Sequence, residues 1–178
     1  MRAARETPSN RLKIGVVGHR VLKDPDRIRA GIDRTLKHLE AVFHARSWTV
    51  LSSLAEGADR LVVERILART PARLVAPLPL AVGTYVRDFT SAESRAAFRR
   101  LLARARIVRM PRGATRSIAY QRAGDWLVDH SHVLVAVWDG RRTHRAAGTA
   151  AAVARARSRG LPIAWVRAGT GRVVYENF

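Results

Sequence analysis

Apolar residues follow two alternating rhythms along this chain. Short continuous runs give way to helical stretches in which they recur every three or four residues. Leu12 to Val17 is a continuous run closed by Gly18-His19-Arg20 and predicts a first buried strand. Asp24-Pro25 then opens a helix, Asp24 as its cap and Pro25 at its first position. Ile28, Ile32, Leu36, Leu39 and Phe43 give that helix one apolar face. Trp48 to Leu51 predicts a second strand, and Ser52 to Asp59 a turn into a helix that carries Leu61, Val62, Ile66 and Leu67 and ends before Pro71. Arg73 to Ala76 predicts a third strand stopped by Pro77 and Pro79, followed by a loop with Tyr85, Asp88 and Phe89. Ser91 to Ala105 predicts an Arg-rich amphipathic helix, and Ile107 to Met110 a fourth strand. A Gly/Pro/Arg loop, Pro111 to Arg116, leads to a helix over Ile118 to Asp129. Val133 to Trp138, Gly148 to Arg159 and Ile163 to Val166 read as strand, helix and strand, and Val173-Val174-Tyr175 as an added edge strand.

This order predicts an α/β fold: a Rossmann-like three-layer sandwich with a mostly parallel central sheet and helices on both faces. Near-continuous apolar strands agree, because such strands are buried on both sides. At 178 residues with 47% hydrophobic content, the expectation is one domain over 11–178 behind a disordered lead, Met1 to Asn10. The chain has no cysteine, which removes disulfides, thiolate zinc sites and cysteine nucleophiles from consideration and suits a cytoplasmic location. No apolar run is long enough to span a bilayer, so no membrane association is expected.

Charge adds a question about partners. The chain carries 33 Lys+Arg against 14 Asp+Glu, a net charge of +19, and only Lys13, Lys23 and Lys37 are lysines. A polyanion partner is one reading. Arg- and Ala-favouring codons are the other, and the dispersal of the arginines over most helices favours it.

Candidate chemistry follows from the fold, since ligands of such sheets sit beyond the carboxyl ends of the strands. Four segments end there. Gly18, His19 and Arg20 follow the first strand. In Ser52 to Asp59, small residues and Gly57 let backbone amides converge; Ser52 and Ser53 offer hydroxyls, and Glu56 or Asp59 could accept from a ribose hydroxyl. Asp59 also suits a helix start as plain charge complementarity. Pro77 to Phe89, with Tyr85, is the third segment. Asp139-Gly140 and Gly148-Thr149 flank the fourth, where helix amides and a hydroxyl could meet a phosphate. Between them lies a basic loop with Arg141, Arg142, His144 and Arg145. None of the six histidines makes a metal-binding spacing, and the motifs call for no cofactor.

Taken together, Ile14-Gly15-Val16-Val17-Gly18-His19-Arg20, Ser52 to Asp59, Ala76-Pro77-Leu78-Pro79 with Tyr85 and Asp88-Phe89, and Asp139-Gly140 with Gly148-Thr149-Ala150 resemble the SLOG superfamily. That superfamily includes DNA-processing protein A and the lonely-guy phosphoribohydrolases. The resemblance implies a domain that binds nucleotides or nucleotide-derived ligands, as do sensors in bacterial conflict systems. Two further functions follow from it: cleavage of nucleoside monophosphates, and binding of single-stranded DNA. It also implies a homo-oligomer. The lonely-guy enzymes carry Gly-Gly-x-Gly-Thr-x-x-Glu; here Ala146-Ala147 precede Gly148-Thr149, and Ala152 stands at the Glu position. Hydrolysis would then fall to Glu56, Asp88 or Asp139.

Overall fold

A computed structural model gives the fold and describes residues 11–111, 115–141 and 147–178. The lead Met1 to Asn10, Arg142, His144 and Arg145 of the basic loop, and part of the loop before Arg116 lie outside the described residues. Among the described residues, seven strands form one sheet in the order β4-β3-β2-β1-β5-β6-β7. They are β1 Arg11–Gly18, β2 Ser47–Leu51, β3 Ala72–Leu78, β4 Ala105–Arg109, β5 Val133–Trp138, β6 Ile163–Arg167 and β7 Val173–Glu176. All neighbours pair in parallel except β6 and β7.

The helices are α1 Pro25–Phe43, α2 Ala58–Arg69, α3 Val82–Tyr85, α4 Ala92–Leu102, α5 Arg116–Asp129 and α6 Thr149–Ser158. Asp24 caps α1 by accepting the Arg27 N–H at 3.1 Å, with Pro25 at the first position. Side chains alternate between the sheet's two faces. Leu12, Ile14 and Val16 join α1 and α2 in one core; Leu134, Ala136 and Trp138 join Val153 and Ala156 of α6 in the other. The sandwich expected from the sequence is the sandwich observed. No helix among the described residues is long and apolar enough to cross a membrane.

Three boundaries differ from the sequence pattern, each for a local reason. The stretch expected as a loop around Tyr85 winds into α3 and a 3-10 turn, Val86–Asp88. Strand β3 does not stop at Pro77 but runs through it to Leu78. The Pro77 carbonyl accepts from the Ser53 hydroxyl at 2.8 Å, so Pro77 turns its backbone polar edge toward β2. The β2 ladder has already ended at Leu51–Val75, and the missing N–H breaks no sheet bond. Strand β4 begins at Ala105, where a helix end was expected, and carries Arg106 and Arg109 exposed on the sheet's outer edge.

The chain lays down β1 to β4 in one direction, then crosses back through α5 to place β5 on the other side of β1. The order therefore reverses between β1 and β5. That reversal leaves a crevice at the carboxyl ends of these two strands.

Candidate functional site

A cleft of about 140 Å³ opens at this crevice. Its walls come from five places. Val16, Val17 and Gly18 end β1, with Arg20 just beyond; Ser53, Ala55 and Asp59 come from the turn into α2. Tyr85 comes from α3, Tyr120, Gly124 and Leu127 from α5, and Gly148, Thr149 and Ala152 from α6.

The turn from β2 into α2 is held by side chains that face inward. Ser52 is fully buried; its hydroxyl accepts the Leu54 N–H at 3.0 Å and donates to Asp59 Oδ2 at 3.4 Å. Leu54 sits at φ 57°, a left-handed conformation unusual for leucine, and the Ser52 bond fixes it there. Removing that hydroxyl leaves two buried groups short of a partner. Ser52→Ala is expected to cost about 2 kcal/mol in urea unfolding; a loss below about 0.5 kcal/mol would show that the turn does not depend on it.

Asp59 is the carboxylate that lines the cleft. Burial pushes its pKa from an ordinary 3.8 up to about 7, against the pull of the Ala55 and Gly18 backbone N–H groups, the Ser52 hydroxyl and the Arg20 charge. A buried acid titrating near neutrality in a cleft is a physical mark of a functional site. Tyr85 lies beside it, fully buried, its hydroxyl without a hydrogen-bond partner among the described residues. Burial, then the charge of Asp59, pushes the Tyr85 pKa up, so the phenol keeps its proton. An unsatisfied buried hydroxyl is costly, and a ligand group would satisfy it.

Arg20 is exposed and leans on a relay. It donates to the Tyr120 hydroxyl, which donates to Asp88 Oδ2, and Arg116 Nη2 holds Asp88 Oδ1 at 2.5 Å. Burial alone would lower the Arg20 pKa, but Tyr120, Tyr85 and Asp88 outweigh it and raise it. The relay thus orients a permanent positive charge at the cleft mouth.

Across the cleft, α6 begins without a side-chain cap. Gly148 precedes it at φ 115° and ψ −174°, a conformation essentially restricted to glycine. The first helical bond runs from the Ala152 N–H to the Gly148 carbonyl at 3.1 Å. The N–H groups of Thr149, Ala150 and Ala151 come before that bond and are unused within the helix. They supply directed donors and the positive end of the helix dipole.

Seven residues expected at the site are brought together here: Gly18, Arg20, Ser53, Asp59, Tyr85, Gly148 and Thr149. Seven others do not line the cleft. Ser52 and Pro77 brace the turn, as described. Glu56 accepts from the Thr90 N–H at 2.9 Å and from the Ser94 hydroxyl, bonds that lower its pKa despite burial, and so ties the turn to α4. Gly57 faces its own chain; a Cβ there would meet the Arg20 carbonyl oxygen at 2.2 Å. The first amide of α2, Ala58 N–H, is taken by the His19 carbonyl at 3.0 Å. The α2 start therefore presents Asp59, while the α6 start presents amides.

His19 and Asp139 pair with each other. His19 Nε2 lies 3.1 Å from the Asp139 N–H and 3.2 Å from Asp139 Oδ1. The ring nitrogen accepts from the amide or donates to the carboxylate, depending on tautomer. The Arg141 N–H at 2.9 Å, with His19 second, holds the Asp139 pKa down. Gly140 faces the Trp165 ring, at 3.0 Å from its would-be Cβ.

Sequence reasoning missed the α5 wall. Tyr120 and Gly124 read as ordinary helix positions, yet α5 is the helix that crosses the switch point. No atom lies within 4 Å of a would-be Cβ on Gly124, so a side chain there would enter the opening. That crossover could have been inferred only from the strand order.

Fold and cleft define an α/β protein of the Rossmann-like class with its crevice at the β1–β5 switch. Comparison with models of protein families and with curated proteins returns no match.

Proposed function

We propose that this cleft binds the phosphate-bearing end of a nucleotide or nucleotide-derived ligand, in a sensing role without robust catalysis. One observation carries the reading: the uncapped first turn of α6 and the guanidinium of Arg20 line the same cleft, with Asp59 and the unpartnered Tyr85 hydroxyl beside them. Amide donors and a fixed cation favour a phosphate. A protonated Asp59 and a phenol suit a sugar hydroxyl.

The hydrolytic alternative loses its candidate carboxylates on geometry. Glu56, Asp88 and Asp139 are each bonded elsewhere, and none lines the cleft. Ala152 does line it, with a methyl where the resembling hydrolases carry glutamate.

A thermal-shift panel of AMP, ADP-ribose and NAD tests the binding reading. A ligand at a hundred times its Kd stabilises by about 2.7 kcal/mol. Arg20→Ala is expected to weaken the responding nucleotide about tenfold or more. No shift with any member of the panel would sink the proposal. Base release from AMP, followed by chromatography, would instead revive the hydrolase.

A further inference from the structure

The opposite end of the sheet holds a second and larger cavity, about 340 Å³, at the amino ends of β1, β2 and β3. Arg11, Arg73 and Arg104 line it together with the Thr70 hydroxyl, and Trp48 lies in its wall. No carboxylate lines it, and none of the three guanidiniums has a carboxylate partner among the described residues. Other arginines of the chain are neutralised by an acid. Arg65, Arg69, Arg155 and Arg157 are each held by a carboxylate, with closest approaches of 2.6–2.8 Å.

The sheet register places two of these charges side by side, with Arg11 two strands away. Thr49 pairs with Arg73 and Leu74 with Ala105, so Arg104 stands beside Arg73 one strand over. Strands are about 4.8 Å apart, so the two side chains leave the backbone as neighbours. Arg106 and Arg109 continue the positive edge along β4, both exposed. The end of α2 contributes a partial negative charge of about half a unit, which offsets a fraction of three guanidiniums.

Arg11 Nε donates to the Ser47 hydroxyl at 3.4 Å, and Ser47 lines the cavity as Thr70 does. A concave site with three guanidiniums, two hydroxyls and, among the described residues, no acid is built for a multiply charged anion. Guanidinium forks match phosphate oxygens in pairs. We propose that this cavity is a second anion site, distinct from the nucleotide cleft, which takes a chain of linked phosphates. Free oligophosphate and a nucleic-acid backbone share that chemistry.

Titration calorimetry with inorganic tripolyphosphate tests it in the full chain. Arg73→Glu/Arg104→Glu is expected to weaken tripolyphosphate at least about tenfold, while the thermal shift from the nucleotide panel is retained. Arg29→Glu/Arg172→Glu, the same charge change on a remote surface, is expected to change it by less than about threefold. Both double variants are first checked for an unchanged Tm. The proposal is overturned if tripolyphosphate does not bind at low salt. It is equally overturned if the Arg73/Arg104 variant binds like wild type, if both double variants weaken it equally, or if Arg20→Ala alone abolishes it.

The source is read from oligothymidine. Competition with tripolyphosphate at equal phosphate, with a salt slope that falls by about 1.4 when two contacts are lost, identifies a nucleic-acid backbone. Failure to compete identifies a free oligophosphate. Either result stands apart from the fate of the nucleotide reading, because the two sites share no residue.

Discussion

Gly57→Ala is expected to be strongly destabilising. The residue sits at φ 77° and ψ −119°, where a side chain strains the backbone. Its Cβ would also lie 2.2 Å from the Arg20 carbonyl oxygen and 2.6 Å from that of His19. Both obstacles are backbone, so no rotamer change relieves them. Backbone strain and overpacking each cost about 1–3 kcal/mol, and together about 4 kcal/mol. For a chain of this size that lowers Tm by roughly 8–16 °C. The displaced segment carries Arg20, so nucleotide binding should fall with stability. A Tm within about 2 °C of wild type would mean that the β1 loop moves aside at little cost, and that Gly57 does not set the cleft's shape.

Asp59 governs the second large effect, a dependence of stability on pH. Its folded pKa is about 7 against an ordinary 3.8. Between those values the folded state keeps a proton that the unfolded chain has released. Its contribution to stability is therefore present in full below about pH 4, falls as pH rises, and is gone above about 7. The whole change is at most about 4 kcal/mol. His132 runs the other way: burial, then Lys13, lowers its pKa, so its contribution grows as pH rises through 6.5. The two overlap, and the difference between wild type and Asp59→Asn isolates Asp59. Unfolding free energies at pH 5, 6, 7 and 8 should fall more steeply in wild type than in the variant up to pH 7, then run parallel. Parallel curves throughout would show that Asp59 is ionised across the range. An anionic ligand near Asp59 favours its protonated form, so nucleotide affinity should also weaken as pH rises above about 7.

The sequence made the helices and strands legible because burial has a period. The run Val133 to Trp138 has all six residues buried, as a strand covered on both faces requires. Asp24-Pro25 marked the start of α1 through capping chemistry that is local to four residues. At β4 the pattern was weaker, since this edge strand exposes Arg106, Ile107 and Arg109 and its apolar signal shrinks to Ile107 and Val108. The α3 turn was hidden for a different reason. Its single buried anchor, Tyr85, is held by Phe89, Phe98 and Tyr120, and only the folded chain brings α4 and α5 to it.

Half of the expected site came together, and the division has a cause. Residues that end a strand or start a helix at the switch point, such as Gly18, Arg20 and Gly148, reach the cleft because topology delivers those points there. Within the Ser52–Asp59 turn, five candidates come without directions. Ser52 and Glu56 turn to bind the turn and α4, and Gly57 packs on the β1 loop, while Ser53 and Asp59 line the cleft.

By itself, then, the sequence determined the order of the strands and long helices, the parallel sandwich and the glycine-led start of α6, because these follow from local periodicity and capping. Tertiary structure decided which carboxylate faces the cleft, that Tyr120 joins it, and that Arg73 and Arg104 stand together at the other end. Those facts depend on strand order and side-chain direction, which contacts between distant segments fix and no local pattern encodes.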